Sequence, residues 1–261
     1  MVDHSRTTAV ISGGTQGLGL AIAQALIADG CQKVVLSGRR VTEGEAAADL
    51  LRKTTGAEVR FIPCDMAKVE DAIALIDRAA NRFGPITALV NSAATTERGS
   101  ILTTTPEDFD KHIAINTRGP FFALQRFSQM AIDGGYAATA VNILSMVIHC
   151  GQSFLAPYSA SKAALGNVTK NAAQALRGHK IRVNGINCGW MDTPGEDDTQ
   201  RRFHGAGDDW LALAEARQPF GMLVKPAHVA GLASYMLSPE SGVMTGTLVD
   251  FDQNVAGAYP E

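Results

Sequence analysis

Short runs of β-branched and aliphatic residues recur along this 261-residue chain, each followed by a longer amphipathic segment. This alternation limits the possible folds more than any other feature. The strand candidates are Thr8–Ser12, Lys33–Leu36, Glu58–Ile62, Ala88–Val90, Ala140–Leu144, Arg182–Asn187 and Leu248–Phe251. Most are apolar throughout rather than at every second position, as expected of a parallel strand covered on both faces. The intervening segments read as helices: Leu18–Ala28, Thr42–Thr54, Val69–Phe83, Pro106–Asn116, Phe121–Ala131, Ser159–Arg177 and Pro226–Leu237. Thr42 and Glu45 have the spacing of a capping box at the start of the second. Strands alternating with helices, joined by right-handed crossovers, predict an α/β fold: a doubly wound, seven-stranded parallel sheet with helices on both faces. No linker, composition shift or internal repeat divides residues 1–261, so a single domain is expected. The segment Asp192–Gly221 interrupts the alternation and reads as a substrate lid at about 192–221.

Charge and cysteine usage narrow the function. With 23 basic and 26 acidic residues the net charge is −3, and no basic stripe is present to replace counterions on phosphates. Nucleic acid is therefore not an expected partner. Cys31, Cys64, Cys150 and Cys188 form no CxxC pair, and the six histidines form no HExxH, so no metal site is expected. The cysteines read as reduced thiols of a cytoplasmic protein. The N-terminus, MVDHSRTTAV, lacks a basic segment followed by an apolar one and does not read as a signal peptide. Residues 134–161 carry no charge over a length that could span a bilayer. Gly134, Gly135, Asn142, His149, Gly151, Gln152 and Pro157 interrupt them. The stretch reads as a buried strand followed by a pocket-lining loop, and no membrane association is expected.

The first strand ends in Ser12-Gly13-Gly14-Thr15-Gln16-Gly17-Leu18-Gly19. Glycine at 13 permits a sharp strand-to-helix turn, Gly17 lets backbone approach a pyrophosphate, and Gly19 allows close packing of the helix. The helix N-terminus then offers unpaired N–H groups and a partial positive charge to phosphates. About 20 residues on, where an acid binds the adenosine ribose of NAD, the chain reads Ser37-Gly38-Arg39-Arg40, with no acid before Glu43. Guanidinium pairs with a 2′-phosphate that a carboxylate would repel. The cofactor expected is NADP(H), with NAD(H) the lesser alternative.

Tyr158 and Lys162 stand at i and i+4 of the long helix that follows the charge-free loop, on one helix face. A nearby ammonium stabilises phenolate and should draw the phenol pKa down from about 10 toward neutrality.

These features together resemble the short-chain dehydrogenase/reductase family, in its compact single-domain branch, over essentially the whole chain. The family's glycine motif corresponds to Ser12–Gly19, its Asn-Asn-Ala-Gly motif to Asn91-Ser92-Ala93-Ala94, and its Pro-Gly motif to Cys188-Gly189, followed by Met191 and Thr193. Ser145 stands at the position of the catalytic serine and Asn116 at that of the helix asparagine. The resemblance implies a Rossmann-like fold and hydride transfer between nicotinamide and a secondary alcohol or carbonyl. Tyr158 would be the general acid/base, and Ser145 would bind the substrate oxygen. Lys162 would tune the tyrosine and bind the nicotinamide ribose, and Asn116 would hold a water linking Lys162 to solvent. Asp65, beside Met66, corresponds to the adenine-binding acid. Asn91 and Ala93 would line the cofactor cleft, and Thr193 would contact the carboxamide or phosphate. Ala94 replaces the usual glycine, and Cys188 the usual proline. The resemblance also implies a homodimer or homotetramer.

Candidate substrate contacts are Met146, His149, Phe154 and Leu155 before the tyrosine, and Trp190, His204 and Trp210 in or near the lid, beside Ser145 and Tyr158. Charged lid residues (Arg201, Arg202, Asp208, Asp209) favour a small sugar, polyol or hydroxy acid, although a solvated helix face would look the same. The tail Asp250–Asn254 either reaches a pocket, its own or a neighbouring subunit's, or forms a polar surface turn. The alternative to an enzyme is a noncatalytic NADP(H)-binding regulatory protein on the same scaffold.

Overall fold

Alternate residues of the first six strands feed two different cores. Ala9 and Ile11 pack into one apolar cluster while Val10, between them, packs into the other; Val34 and Leu36 divide from Val35 in the same way. A strand fully buried in this manner has to be apolar throughout, which accounts for the continuous runs in the sequence. A computed structural model describes residues 2–258. Its strands are β1 (Thr8–Ser12), β2 (Lys33–Gly38), β3 (Glu58–Pro63), β4 (Ala88–Asn91), β5 (Ala138–Ser145), β6 (Ile181–Cys188) and β7 (Leu248–Phe251). They form one sheet in the order β3-β2-β1-β4-β5-β6-β7, with every neighbouring pair parallel.

The helices are α1 (Gly17–Ala28), α2 (Val41–Thr55), α3 (Val69–Phe83), α4 (Pro106–Ile113), α5 (Gly119–Gly134), α6 (Ala156–Leu176), α7 (Pro194–His204), α8 (Trp210–Glu215) and α9 (Pro226–Leu237). Apolar residues of α1, α2 and α9 fill the core on one face of the sheet; those of α3, α5 and α6 fill the other. Among the described residues no helix is long and apolar enough to cross a membrane.

Two local expectations are corrected. Thr42 and Glu45 form no capping box: α2 begins at Val41, with Arg40 at its N-cap and no side-chain cap. Strand β2 runs on to Gly38, so the helix starts almost at once and both residues fall inside it. The segments 106–116 and 121–131 are likewise not separate helices. α4 passes through a π-helical turn, Ala114–Arg118, directly into α5. Pro120 lies just after this π turn, and the altered hydrogen-bonding register there accommodates its missing N–H. Gly119 lets this turn press on the chain after β3, since a Cβ there would lie 2.2 Å from Met66 O.

The 192–221 segment folds as α7 and α8 around a small apolar cluster of Trp210, Ala214 and Leu223. Thr193 caps α7, its hydroxyl accepting from the Glu196 N–H at 3.1 Å. The two ends of the segment are stapled. The Asp192 N–H donates to Val224 O (3.0 Å) and the Val224 N–H to Trp190 O (2.9 Å). Lys225 Nζ bonds Asp192 Oδ2 at 2.7 Å and Glu215 Oε1 at 2.6 Å. Replacing Lys225 by Met should leave two carboxylates repelling each other at this staple. Cleavage by a protease within residues 194–218 is expected to accelerate several-fold. The global urea unfolding free energy should change by no more than about 1 kcal/mol, because these pairs are partly exposed.

Candidate active site

Sheet order reverses between β1 and β4, so crossovers leave in opposite directions and a crevice opens beyond the strand C-termini. A cleft of about 1130 Å³ occupies this place. Its floor at one end is the glycine turn. Gly13 has φ +70°, and a Cβ there would stand 2.7 Å from the backbone of Ala93. A Cβ on Gly19 would lie 2.2 Å from Gly13 O, so the turn closes tightly on its own helix only because both are glycine. Gly17, at φ +53°, faces Thr193 across the cleft, and Gln16 gives the start of α1 no side-chain cap. Thr15, Gln16 and Leu18 also line the cleft here, as do Ser37, Arg39 and Arg40 at the end of β2. Both arginines are exposed; Arg40 also pairs with Gln16 and Glu43. Asp65 and Met66 complete this end, with Asp65 Oδ1 accepting from the Ala67 N–H at 3.1 Å.

The other end is built on the first turns of α6 and the end of β5. Lys162 is 2% exposed, and its Nζ donates to Ile143 O at 2.7 Å. Its remaining N–H groups have no hydrogen-bond partner among the described residues. The ammonium lies 5.8 Å from the centroid of the Tyr158 ring. Burial pushes the Tyr158 phenol up to about 12, opposed by the Ser145 side chain within hydrogen-bonding reach. Burial also pulls Lys162 down to about 8. The expected lowering of the phenol by Lys162 is therefore not met in the chain by itself. Desolvation disfavours both charged forms and is the largest influence on each group. Asn116, fully buried in the π turn, fixes this platform. Its Oδ1 accepts from the Thr95 N–H (2.8 Å), and its Nδ2 donates to Thr95 O (2.9 Å) and Ser161 Oγ (3.0 Å).

Ser145, Tyr158 and Lys162 thus come together with Gly189, Met191 and Thr193, and with Met146, Phe154, Leu155, Trp190 and His204, along one cleft. Other predicted residues lie elsewhere. Ser12 and Asn91 are buried beneath the cleft: Ser12 Oγ accepts from the Ala93 N–H (3.4 Å), and Asn91 Nδ2 donates to Asn142 Oδ1 (2.8 Å). The Asn116 side chain is used for bracing and does not line the cleft. His149 turns toward Asp250, its Nε2 2.8 Å from Oδ1, and does not line the cleft. Trp210 belongs to the core of the 192–221 segment. Arg201 pairs with Asp197 and Asp208, both at 2.9 Å, and is not part of the cleft lining. The tail does reach the cleft of its own chain. Asp252 packs on Gly189, where a Cβ would lie 2.2 Å from its Oδ1, and Asn254 follows. Sequence reasoning did not single out Arg98, Glu196 and Gln200 as lining residues, although the last two fall within the expected lid; for Arg98 the signal was a lone cation after β4.

These features fit a dinucleotide. The glycine turn leaves space where a Cβ would intrude, the helix above it lacks a side-chain cap, and a buried lysine has donors to spare. Residues 13–253 match the family model described as "Enoyl-(Acyl carrier protein) reductase". An NADP-dependent (R)-specific alcohol dehydrogenase of Lentilactobacillus kefiri is 32% identical over 240 residues, 91% of this chain and 92% of that one. A sorbitol dehydrogenase of Cereibacter sphaeroides is 29% identical over 255 residues, 94% of this chain and 95% of that one. The crystal structure of a single-residue variant of the actinorhodin polyketide ketoreductase with NADPH superposes with a TM-score of 0.88 at 26% identity, covering 99% of this chain and 100% of that one. The chain belongs to the short-chain dehydrogenase/reductase family and is an oxidoreductase whose fold binds a nicotinamide cofactor.

Proposed function

We propose that the protein is an NADP(H)-dependent oxidoreductase acting between a secondary alcohol and its carbonyl, with a small sugar, polyol or hydroxy acid as substrate. The observation that carries this reading is the convergence of Ser145, Tyr158 and Lys162 in a cleft whose far end is a glycine turn rimmed by Arg39 and Arg40. A bound nicotinamide dinucleotide supplies the hydride chemistry. Tyr158 carries the proton: with its phenol pushed up to about 12 it is protonated at neutral pH, the form that donates to a carbonyl oxygen during reduction. Ser145 donates a hydrogen bond to the same oxygen as charge builds on it. Lys162 holds ribose hydroxyls with the donors that Ile143 leaves free. Asn116 acts as a positioning residue through Thr95 and Ser161. The 192–221 segment, hinged at its stapled ends, serves as the lid.

NADP(H) is favoured over NAD(H) because Ser37–Arg40 offers two exposed guanidinium groups and no carboxylate. The NADP dependence named for the Lentilactobacillus relative and the NADPH named with the ketoreductase structure agree with it. We further assign the protein to the cytoplasm and to a homodimer or homotetramer joined through α5 and α6. Phe121 and Ile132 stand exposed on α5 in the single chain.

Steady-state assays should give a higher kcat/KM with NADP(H) than with NAD(H). Arg39→Asp should lower the NADP(H) value about 10- to 100-fold, the worth of one charged hydrogen bond to phosphate; a wild type that prefers NAD(H) would refute the assignment. Tyr158→Phe should reduce kcat by about 10²- to 10⁴-fold while cofactor still binds. Alcohol oxidation needs the phenol to lose its proton, so kcat/KM should climb through the alkaline range. The Ser145 side chain lowers the phenol pKa, so Ser145→Ala should move that rise to higher pH.

A further inference from the structure

The substrate end of the cleft contains an ion pair that takes no part in the chemistry above. Arg98 comes from the loop after β4 and Glu196 from the first turn of α7; their side chains are only 14% and 16% exposed. Arg98 Nε donates to His204 Nε2 at 3.0 Å and Nη1 to Thr96 O at 2.9 Å. The guanidinium carbon lies over the Phe154 ring, 5.5 Å from its centroid. Nη2 stands 3.8 Å from Glu196 Oε1, close enough for charge attraction but too far for a hydrogen bond. Among the described residues, both N–H groups of Nη2 and one of Nη1 therefore lack a hydrogen-bond acceptor. Glu196 is held equally firmly. Its Oε1 accepts from Trp190 Nε1 (2.8 Å) and Gln200 Nε2 (2.7 Å), which leaves Oε2 without a donor among the described residues.

One wall of the cleft thus sets unpartnered donors beside an unpartnered acceptor, on two side chains that are mostly buried and open only to the cleft. Arg98 and Glu196 share the lining of this cleft with Ser145 and Tyr158, so the pair borders the space where the reacting carbon would sit. Burial of Arg98 is only partly offset by its neighbours, as its lowered pKa reflects. The ligand that satisfies such a wall must both accept and donate. A carboxylate only accepts, and Glu196 and Asp252 in the same lining would repel it. A hydroxyl does both. We propose that Arg98 and Glu196 are the specificity-determining pair, reading a free hydroxyl near the reacting carbon, so that the substrate is a polyol or its ketose rather than a hydroxy acid or a simple alcohol.

This assignment rests on the hydride-transfer reading of the same cleft. A site built around a hydroxyl rejects an analogue lacking it, because its polar groups stay unpaired. The test compares kcat/KM for a hexitol, for 2-hexanol and for a six-carbon 2-hydroxy acid, with NADP as the oxidant. It uses wild type, Arg98→Met, Glu196→Gln and, as a control away from the cleft and the lid, Arg82→Ala on α3. Wild type should favour the hexitol. The hexitol-to-hexanol ratio should fall about 10- to 100-fold in either cleft variant and stay unchanged in Arg82→Ala. If Arg98→Met does not fold, Arg98→Lys, which keeps the charge but not the planar fork, gives the same comparison. A second readout does not depend on turnover. Because Glu196 holds Trp190, a hexitol titrated into the NADP-bound protein should change tryptophan fluorescence saturably, and Glu196→Gln should weaken that binding at least about 10-fold. A wild type that turns over the alcohols but prefers 2-hexanol or the hydroxy acid overturns the proposal. So does a ratio indifferent to both cleft variants, and in either case the hydride reading stands. A wild type that neither oxidises any of the three nor reduces the matching ketones overturns the hydride reading and this proposal with it.

Discussion

A lysine ammonium almost sealed from solvent needs partners, and the way Lys162 finds them organises the rest of the site. Its Nζ is anchored on Ile143 O, in the last residues of β5 before Ser145. That bond ties the second turn of α6 to the strand carrying the serine. It aims the lysine's other donors along the cleft rather than into the core. An unpaired charge at this depth would neutralise or destabilise the fold. Strand, helix and cleft must therefore be in register for Lys162 to be tolerated at all. Tyr158, one turn earlier, is placed by the same constraint, and Ser145 by the strand end.

The platform is reinforced by a chain of buried amides and hydroxyls. Asn116 fastens the π turn to Thr95 and Ser161, while Ser161 Oγ in turn donates to Tyr158 O at 2.7 Å. Deeper on the same face of the sheet, Asn91 donates to Asn142, and Asn142 to Thr169 on α6 at 2.9 Å. Polar groups this deep are costly when unsatisfied and specify one arrangement when paired. Residues expected to touch the cofactor or substrate thus divide into two kinds. Tyr158, Lys162, Thr193 and the glycines line the cleft, whereas Ser12, Asn91 and Asn116 hold the lining in place.

The strands were legible because burial on both faces leaves a continuous apolar run, and the seven runs read from the sequence correspond to the seven strands of the sheet. Errors arose where tertiary contacts override local signals. Gly119-Pro120 reads as a break, yet a π turn braced by Asn116 carries the helix through it. Thr42 and Glu45 read as a cap, yet the length of β2 leaves no room for one. His149 looked like a pocket residue from its place before Tyr158. It faces Asp250 instead, because β7 pairs beside β6 and brings that carboxylate alongside.

By itself the sequence determined the alternation of strand and helix, the glycine turn at the start of α1 and the Tyr158–Lys162 spacing, since each follows from chain geometry within one or two turns of backbone. Only the tertiary structure decided which side chains meet. Arg98 and Glu196 are almost a hundred residues apart, and Asp252 reaches Gly189 from the tail. The protonation of Tyr158 and Lys162 was also decided there. Spacing along a helix fixes their proximity, but how much water each loses on burial depends on everything packed around them.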